Sequence, residues 1–251
     1  MAGHSKWAQI KRKKAVTDAR RGKLWTQLLK EVTVAARLGG GDPAGNARLR
    51  TAISDARAAN VPKDNLERAI KRGTGELEGG NIEELSYEGY APGGVALLVE
   101  TITDNRNRTV SEVRHLFSKH GGNLGENGCV SWMFEKRGFL AIPKETIDEE
   151  EFVELAVELG ADDFSVGDAG YEIYVDPAVY PEAKERLESK GIPLSAHEVG
   201  QIPKNTVAVD AETAPKVLRL IEALEDNDDV QNVWANFEMD EAVMETVGDS
   251  A

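Results

Sequence analysis

Between Asp18 and Gly73 the apolar residues of this chain recur at three- and four-residue spacing; beyond Gly80 they fall into short alternating runs separated by helical stretches. A period near 3.6 builds helices and a period of 2 builds strands, and one regular element cannot carry both. The change therefore predicts an all-helical beginning and an α+β remainder, divided at the glycine-rich segment Gly73-Thr74-Gly75-Glu76-Leu77-Glu78-Gly79-Gly80. At 251 residues the chain exceeds the roughly 100 to 150 residues of a typical single domain, so two or three units are expected.

Within the helical part, a first helix is predicted from Asp18, a cap residue, with Trp25, Leu28, Val32 and Ala35 on one face and the Gly39-Gly40-Gly41 run as its breaker. A second carries Leu49, Ala52, Ile53 and Ala56 together, with Arg48, Arg50 and Arg57 elsewhere. The third opens at Pro62, a favoured first-turn residue, and ends at Gly73, a favoured residue just past a helix end. At 100° per residue Leu66, Ala69 and Ile70 share one side of it, while Lys63, Arg68, Lys71 and Arg72 share the other with Asp64 and Glu67.

After the glycine-rich segment, Tyr87 to Thr103 reads as a strand or hairpin turning at Pro92-Gly93-Gly94. Thr109 with Glu112 reads as a capping box opening a helix that Gly121-Gly122 ends. Val130 to Phe134 and Gly138 to Ile142 are strand-like, as is Thr206 to Val209; Val217, Leu218, Ile221 and Leu224 line a helix, and Val233, Ala235 and Phe237 alternate along a last strand. Between these stretches, helices around Phe152 to Leu159 and Tyr180 to Lys190 flank a strand at Tyr171 to Val175. The expected fold is thus α+β: a three-helix domain over 1–79, then a ferredoxin-like α+β domain over 80–142 and 203–240, interrupted by a second small α+β domain at 143–202. An acidic tail, 241–251, is expected to fray.

The overall balance of 30 basic against 44 acidic residues argues against a polyanionic partner until its distribution is read. Residues 1–75 hold 17 Lys/Arg and 6 Asp/Glu, a net of +11; residues 76–251 hold 13 and 38, a net of -25. A positive module can approach a phosphate backbone and release counterions while a negative body is held off it. The alternative is a basic segment packed against the acidic remainder through ion pairs, which stabilise little at a surface. The first 17 residues carry Lys11-Arg12-Lys13-Lys14 without an apolar stripe and are expected to form a mobile arm. Arg20, Arg21 and Lys23 stand at the start of the first helix, where cations oppose the helix dipole and an external anion would relieve them.

Catalytic chemistry finds little support. Of His4, His115, His120 and His197, no two have the helical spacing of a metal pair, and the expectation is that no metal or other cofactor is bound. His115 is expected at the surface and His120 half-buried, and the Asp148-Glu149-Glu150-Glu151 run reads as the acidic first turn of a helix. Gly73-Thr74-Gly75 follows a helix, lacks the lysine of a phosphate loop and is succeeded by acids. The single cysteine, Cys129, excludes an internal disulfide and is expected as a small buried apolar group in a reducing compartment. No stretch approaches the roughly 18 apolar residues of a membrane span, and no secretory signal follows the basic start, so a cytoplasmic protein is expected.

Several segments are similar to the signature of one family. Met1-Ala2-Gly3-His4-Ser5-Lys6-Trp7, the run Asn60-Val61-Pro62-Lys63-Asp64-Asn65-Leu66-Glu67-Arg68-Ala69-Ile70-Lys71-Arg72-Gly73, Tyr87-Glu88-Gly89-Tyr90, Pro92-Gly93-Gly94, Thr103-Asp104-Asn105-Arg106-Asn107-Arg108-Thr109 and Gly121-Gly122-Asn123-Leu124-Gly125 together resemble the YebC family over nearly the whole chain. The sequence departs from it at Ala91, where glycine is usual, and at Ala47, where proline is common. The resemblance implies three domains with the basic one first, and no enzymatic activity. It leaves the polymer divided, since some members are described as binding promoter DNA and others as acting on the translating ribosome, helping synthesis through proline-rich stretches by contacting large-subunit RNA.

A DNA regulator would present side chains able to read base edges, for which Asn65 and Arg68 qualify. Nothing in the sequence suggests a dimer matched to a palindrome, so a monomer is expected, and an arm with His4, Lys6 and Trp7 suits the irregular stacked surfaces of folded RNA. The nucleic-acid partner is accordingly expected to be ribosomal RNA, with DNA the second reading. The predicted contacts are His4, Lys6, Trp7, Lys11, Arg12, Lys13, Lys14, Arg20, Arg21, Lys23, Lys63, Asn65, Arg68, Lys71 and Arg72, with Arg106 and Arg108 as a second site or else a solvated loop.

Overall fold

A computed structural model describes residues 18–78, 82–167, 170–240 and 243; of 18–21 the backbone alone is described. The predicted arm, with its contacts from His4 to Lys14, and most of the acidic tail lie outside the described residues.

Three helices come first: α1 (Asp18–Gly39), α2 (Ala47–Ala58) and α3 (Lys63–Gly73). Their apolar stripes meet in one core containing Val32, Ala35, Ala36, Leu49, Ala52, Ile53, Ala56, Val61, Leu66 and Ala69. Asn46 fixes the first corner. Its buried side chain accepts from the Leu49 amide at 3.0 Å, capping α2, and donates to the carbonyls of Ala35 at 2.7 Å, in the last turn of α1, and of Gly40 at 2.9 Å, just past its end. Ala47 is the first residue of α2, a position that proline also tolerates. Asn60, in the left-handed region at φ 59, carries the chain from α2 to α3, a conformation asparagine tolerates better than most residues.

Gly73 plays a different part from the one its position suggests. It stays in the last turn of α3, where an added Cβ would lie 2.4 Å from the Thr33 carbonyl oxygen and 2.7 Å from the Ala36 Cβ; the left-handed residue is Gly75, at φ 80. Glycine at 73 therefore lets α3 lie against the backbone of α1, and glycine at 75 ends the helix.

The described residues divide into two compact units. One contains the helices with 82–129 and 215–233; the other contains 130–214 and the residues from 234 onward. In the first, β1 (Glu83–Tyr90) pairs antiparallel with β2 (Ala96–Thr103) through the expected turn at Pro92–Gly94. Ala91 donates to the Val95 carbonyl at 2.8 Å and has φ -82, so the turn closes without the family's glycine. The first sheet runs β3-β1-β2-β9, with β3 at Asn123–Leu124 and β9 at Val230–Ala235; α4 (Arg106–Lys119) and α7 (Ala214–Glu225) complete its chain path.

Three local readings change. The helix expected to open at a Thr109 capping box opens at Arg106, because the Asn105 side chain accepts from the Arg108 amide at 3.1 Å. Thr109 is buried one turn inside, held there by a tertiary partner, Asp229. Ser131–Met133, within the stretch read as a strand, is a short 3-10 turn. The last strand breaks at buried Asn236, whose carbonyl accepts from Val207; beyond it β10 (Phe237–Glu238) pairs parallel with β8 (Val207–Ala208).

The second sheet runs β5-β6-β4-β7, from β4 (Phe134–Pro143), β5 (Asp163–Val166), β6 (Gly170–Val175) and β7 (Ala196–Pro203). With α5 (Glu149–Glu158) and α6 (Tyr180–Ser189), its chain order is βαββαβ, the ferredoxin-like alternation. Its sheet therefore begins at Phe134 and not at residue 143. The alternation of Phe139 and Ala141 with Leu140 and Ile142 along β4 would serve either sheet, which is why the sequence groups this strand with the preceding stretch. Hydrogen bonding to β6 and β7 decides the matter, placing Leu140 and Ile142 in a core with Phe152, Leu155, Tyr171, Ile173 and Leu187. Asp148 caps α5 ahead of Glu149–Glu151, as the acidic run suggested.

Candidate nucleic-acid interface

Helix α3 buries Leu66 and Ala69 and turns Lys63, Arg68, Lys71 and Arg72 outward as exposed side chains. Arg68 is oriented from within its own helix: its guanidinium donates to the Asn65 side-chain oxygen at 2.6 Å and to the Asp64 carbonyl at 3.2 Å. Lys63 stands 3.5 Å from Glu67, with 84% of the lysine side chain exposed, so water screens this pair heavily. Lys71 and Arg72 make no ion pair among the described residues, and both stand in the last turn, where the helix dipole favours cations.

Other basic residues of the same segment turn inward. Lys23, a predicted contact, donates to the Glu225 carbonyl at the end of α7 and stands 3.9 Å from Asp226. Lys30 meets the Asp229 carboxylate and the Asp228 carbonyl, each at 2.8 Å. Arg48 bridges Glu31 and Glu84, donating at 2.6 and 3.0 Å to the first and at 2.5 and 3.2 Å to the second. These hydrogen bonds raise its pKa further, against the opposing effect of burial. The basic segment thus divides: one set of cations closes onto acidic elements of its own unit, as the ion-pair alternative anticipated, and the α3 set faces solvent.

Arg106 and Arg108 divide in the same way. Arg106 is exposed and makes no ion pair among the described residues. Arg108 donates to Asp229 at 2.7 Å and to Asp104 at 3.0 Å, and the hydrogen bond with Asp229 is the main cause that raises its pKa. Lys23 and Arg108 are consequently held by internal partners, and an incoming phosphate would have to displace these. For Lys23 the signal was absent at short range, because Glu225 lies far away in sequence; for Arg108 the Asp104 pairing at four-residue spacing was legible, and the Asp229 contact was not. Arg20 and Arg21 fall in the first turn of α1, with side chains outside the described ones.

A cleft of about 340 Å³ opens between α1 and α3, lined by Thr26, Leu29, Lys30, Thr33, Asn65, Arg68, Ala69, Arg72 and Ile82. Thr26, Leu29, Lys30 and Thr33 stand at i, i+3, i+4 and i+7 of α1, and Asn65, Arg68, Ala69 and Arg72 stand at the same spacing of α3. That spacing was legible in both helices, but only their packing makes the two rows face each other. A second cleft of about 610 Å³ shares Thr26, Lys30 and Ile82 and is otherwise dominated by acids, among them Asp104, Glu112, Asp226, Asp228 and Asp229.

His115 is exposed and His120 is half-buried, where burial lowers its pKa. Cys129 is half-buried, less enclosed than expected, and burial raises its thiol pKa, which keeps it in the unreactive protonated form. Among the described residues no group of three or more His, Cys, Asp or Glu is placed to hold a metal, and no helix is long and apolar enough to cross a membrane.

Comparison with known proteins assigns both parts of the chain. Residues 5–76 match a family described as the TACO1/YebC protein N-terminal domain, and residues 82–237 match the TACO1/YebC second and third domain. A protein of Natranaerobius thermophilus called "Probable transcriptional regulatory protein" is 57% identical over 249 residues, covering 98% of this chain and 100% of that one. Proteins of the same description from Syntrophus aciditrophicus, 53% identical with 98% of each chain covered, and from Aquifex aeolicus, 55% identical with 99% and 100% covered, agree. The crystal structure of a conserved hypothetical protein from Aquifex aeolicus matches with a TM-score of 0.81 at 55% identity, covering 94% of this chain and 97% of that one. The α+β fold with its helices first and the full-length similarity agree: this chain belongs to the TACO1/YebC family.

Proposed function

We propose that the protein regulates gene expression by binding nucleic acid through its basic N-terminal segment, and that it works by binding without catalysing a reaction. The observation that carries this reading is the segregation of charge, +11 over residues 1–75 against -25 over the rest, together with the exposed row Lys63, Arg68, Lys71 and Arg72 on α3. Such a division of charge favours approach to a polyanion through the basic segment. The relatives' description as probable transcriptional regulatory proteins supports a regulatory role.

We take RNA, in the form of the ribosome, as the polymer, and a monomer in the cytoplasm as the acting species. The basic residues are spread between the N-terminal sequence from Lys6 to Lys14 and the α3 face, a distribution suited to irregular folded RNA more than to the regular major groove of a palindromic duplex. Asn65 already accepts from Arg68 at 2.6 Å, so bidentate reading of adenine would have to use the second lone pair of its side-chain oxygen. Assistance in translating proline-rich stretches is the task that the family resemblance implies for a partner of this kind. Sedimentation of the tagged protein with ribosomes, alongside crosslinking to RNA and DNA in cells, tests the reading. Co-migration with the large subunit and crosslinks in its RNA are expected; crosslinks confined to promoter DNA, with no ribosomal peak, would replace it with a transcriptional regulator.

A further inference from the structure

We infer that the cleft between α1 and α3 takes a single unpaired nucleotide of an RNA strand, a placement that rests on the nucleic-acid reading above and adds to it a defined site. Four observations meet there. The volume of about 340 Å³ lies at the low end of the roughly 300 to 1,000 Å³ of ligand pockets, enough for one nucleotide and too small for a base pair. The walls combine Leu29, Ala69 and Ile82 with polar Thr26, Thr33 and Asn65, an apolar surface for a base plus groups that can read its edge.

The third observation is the distribution of charge. Lys30 is already neutralised by Asp229, so the positive charge available at the cleft is that of Arg68 and Arg72 on α3. Arg68 is held in place by Asn65, whose oxygen accepts at 2.6 Å and leaves the amide nitrogen as a donor. A guanidinium fixed in this way can stack on a base or take a phosphate bidentately. The fourth is the neighbouring cleft, which shares the Thr26, Lys30 and Ile82 wall and carries Asp104, Asp226 and Asp228. Those carboxylates repel phosphates, which confines a strand to the α3 side. Duplex nucleic acid, with its bases stacked inside, has nothing to insert; a bulge, a loop or a strand end does.

The test uses the full-length protein and a short fluorescein-labelled oligouridylate read by anisotropy, beside an RNA duplex of the same length. Thr26→Trp places an indole in the cleft and removes no charge. Its affinity for the single strand is expected to fall about tenfold relative to the duplex, the scale of one stacked base at about 1.4 kcal/mol, with the salt slope unchanged. Unaltered single-strand affinity in a Thr26→Trp protein of native melting temperature overturns the site. Should that variant fail to fold, Asn65→Ala carries the same comparison: an abasic position in the oligomer weakens binding to the native protein and is expected to cost less in the variant. Equal cost in both also overturns the site. A native protein that binds neither RNA overturns the wider RNA reading and the site with it, whereas one that binds duplex and single strand alike and is indifferent to both variants loses the site alone.

Discussion

Asp229 gathers partners from three elements. With 4% of its side chain exposed, its carboxylate accepts from Lys30 of α1 at 2.8 Å, from Arg108 at 2.7 Å and Thr109 at 2.8 Å in α4, and from the Thr103 hydroxyl of β2 at 3.2 Å. Burial alone would push this carboxyl up; the hydrogen bonds from Lys30, Arg108 and Thr109 outweigh it and hold it at about 2. A carboxyl depressed from its ordinary 3.8 to about 2 supplies stability that is present above pH 4 and is lost as pH falls towards 2. Asp229→Asn is therefore expected to cost about 3 kcal/mol at neutral pH by urea unfolding, since it leaves Lys30 without its charged partner. The difference between variant and native protein should shrink between pH 4 and pH 2, and a difference independent of pH would show that the carboxylate is not ionised in the fold. None of this was legible locally. Thr109 reads as a cap from its own neighbourhood, and only Asp229, 120 positions on, turns it into a buried donor.

At the scale of elements, amphipathic spacing determined nearly all of the helical core, because each stripe is a property of one helix and survives whatever it packs against. The faces it assigned to α3 are those observed, with Leu66 and Ala69 inside and Lys63, Arg68, Lys71 and Arg72 outside. The distance of approach between helices is a different kind of information. Gly73→Ala would set a Cβ 2.4 Å from the Thr33 carbonyl oxygen, so α1 and α3 must separate, at an expected cost of about 1 to 3 kcal/mol in urea unfolding. Gly75→Ala meets no atom within 4 Å and strains only its left-handed backbone, for an expected loss of about 1 kcal/mol. Finding Gly73→Ala the milder of the two would mean that the helices are less tightly seated than the structure has them. Strand pairing was the least legible feature of this scale. β4 alternates in a way that fits either sheet, and register and neighbours are settled by chain segments tens of residues distant.

For the whole molecule, the division of charge makes binding to a polyanion strongly dependent on salt. Replacing Lys13, Lys14, Arg20 and Arg21 by alanine should flatten the plot of log affinity against log salt by up to about three units for single-stranded RNA, at about 0.7 for each phosphate that is no longer neutralised. An unchanged slope would take those four residues out of the interface. Charge along the chain, helical periodicity and the family signature were available in the sequence because each depends on residue type and local spacing. What the tertiary structure alone decided is which cations remain available: Lys23, Lys30, Arg48 and Arg108 close onto acidic partners within their unit, while Lys71, Arg72 and Arg106 form no such ion pair among the described residues. It also decided that two rows of side chains, one on α1 and one on α3, face each other across a cleft. A residue's charge is covalent and travels with the sequence, but its availability depends on whether a partner from elsewhere in the chain has been brought within a few ångströms of it.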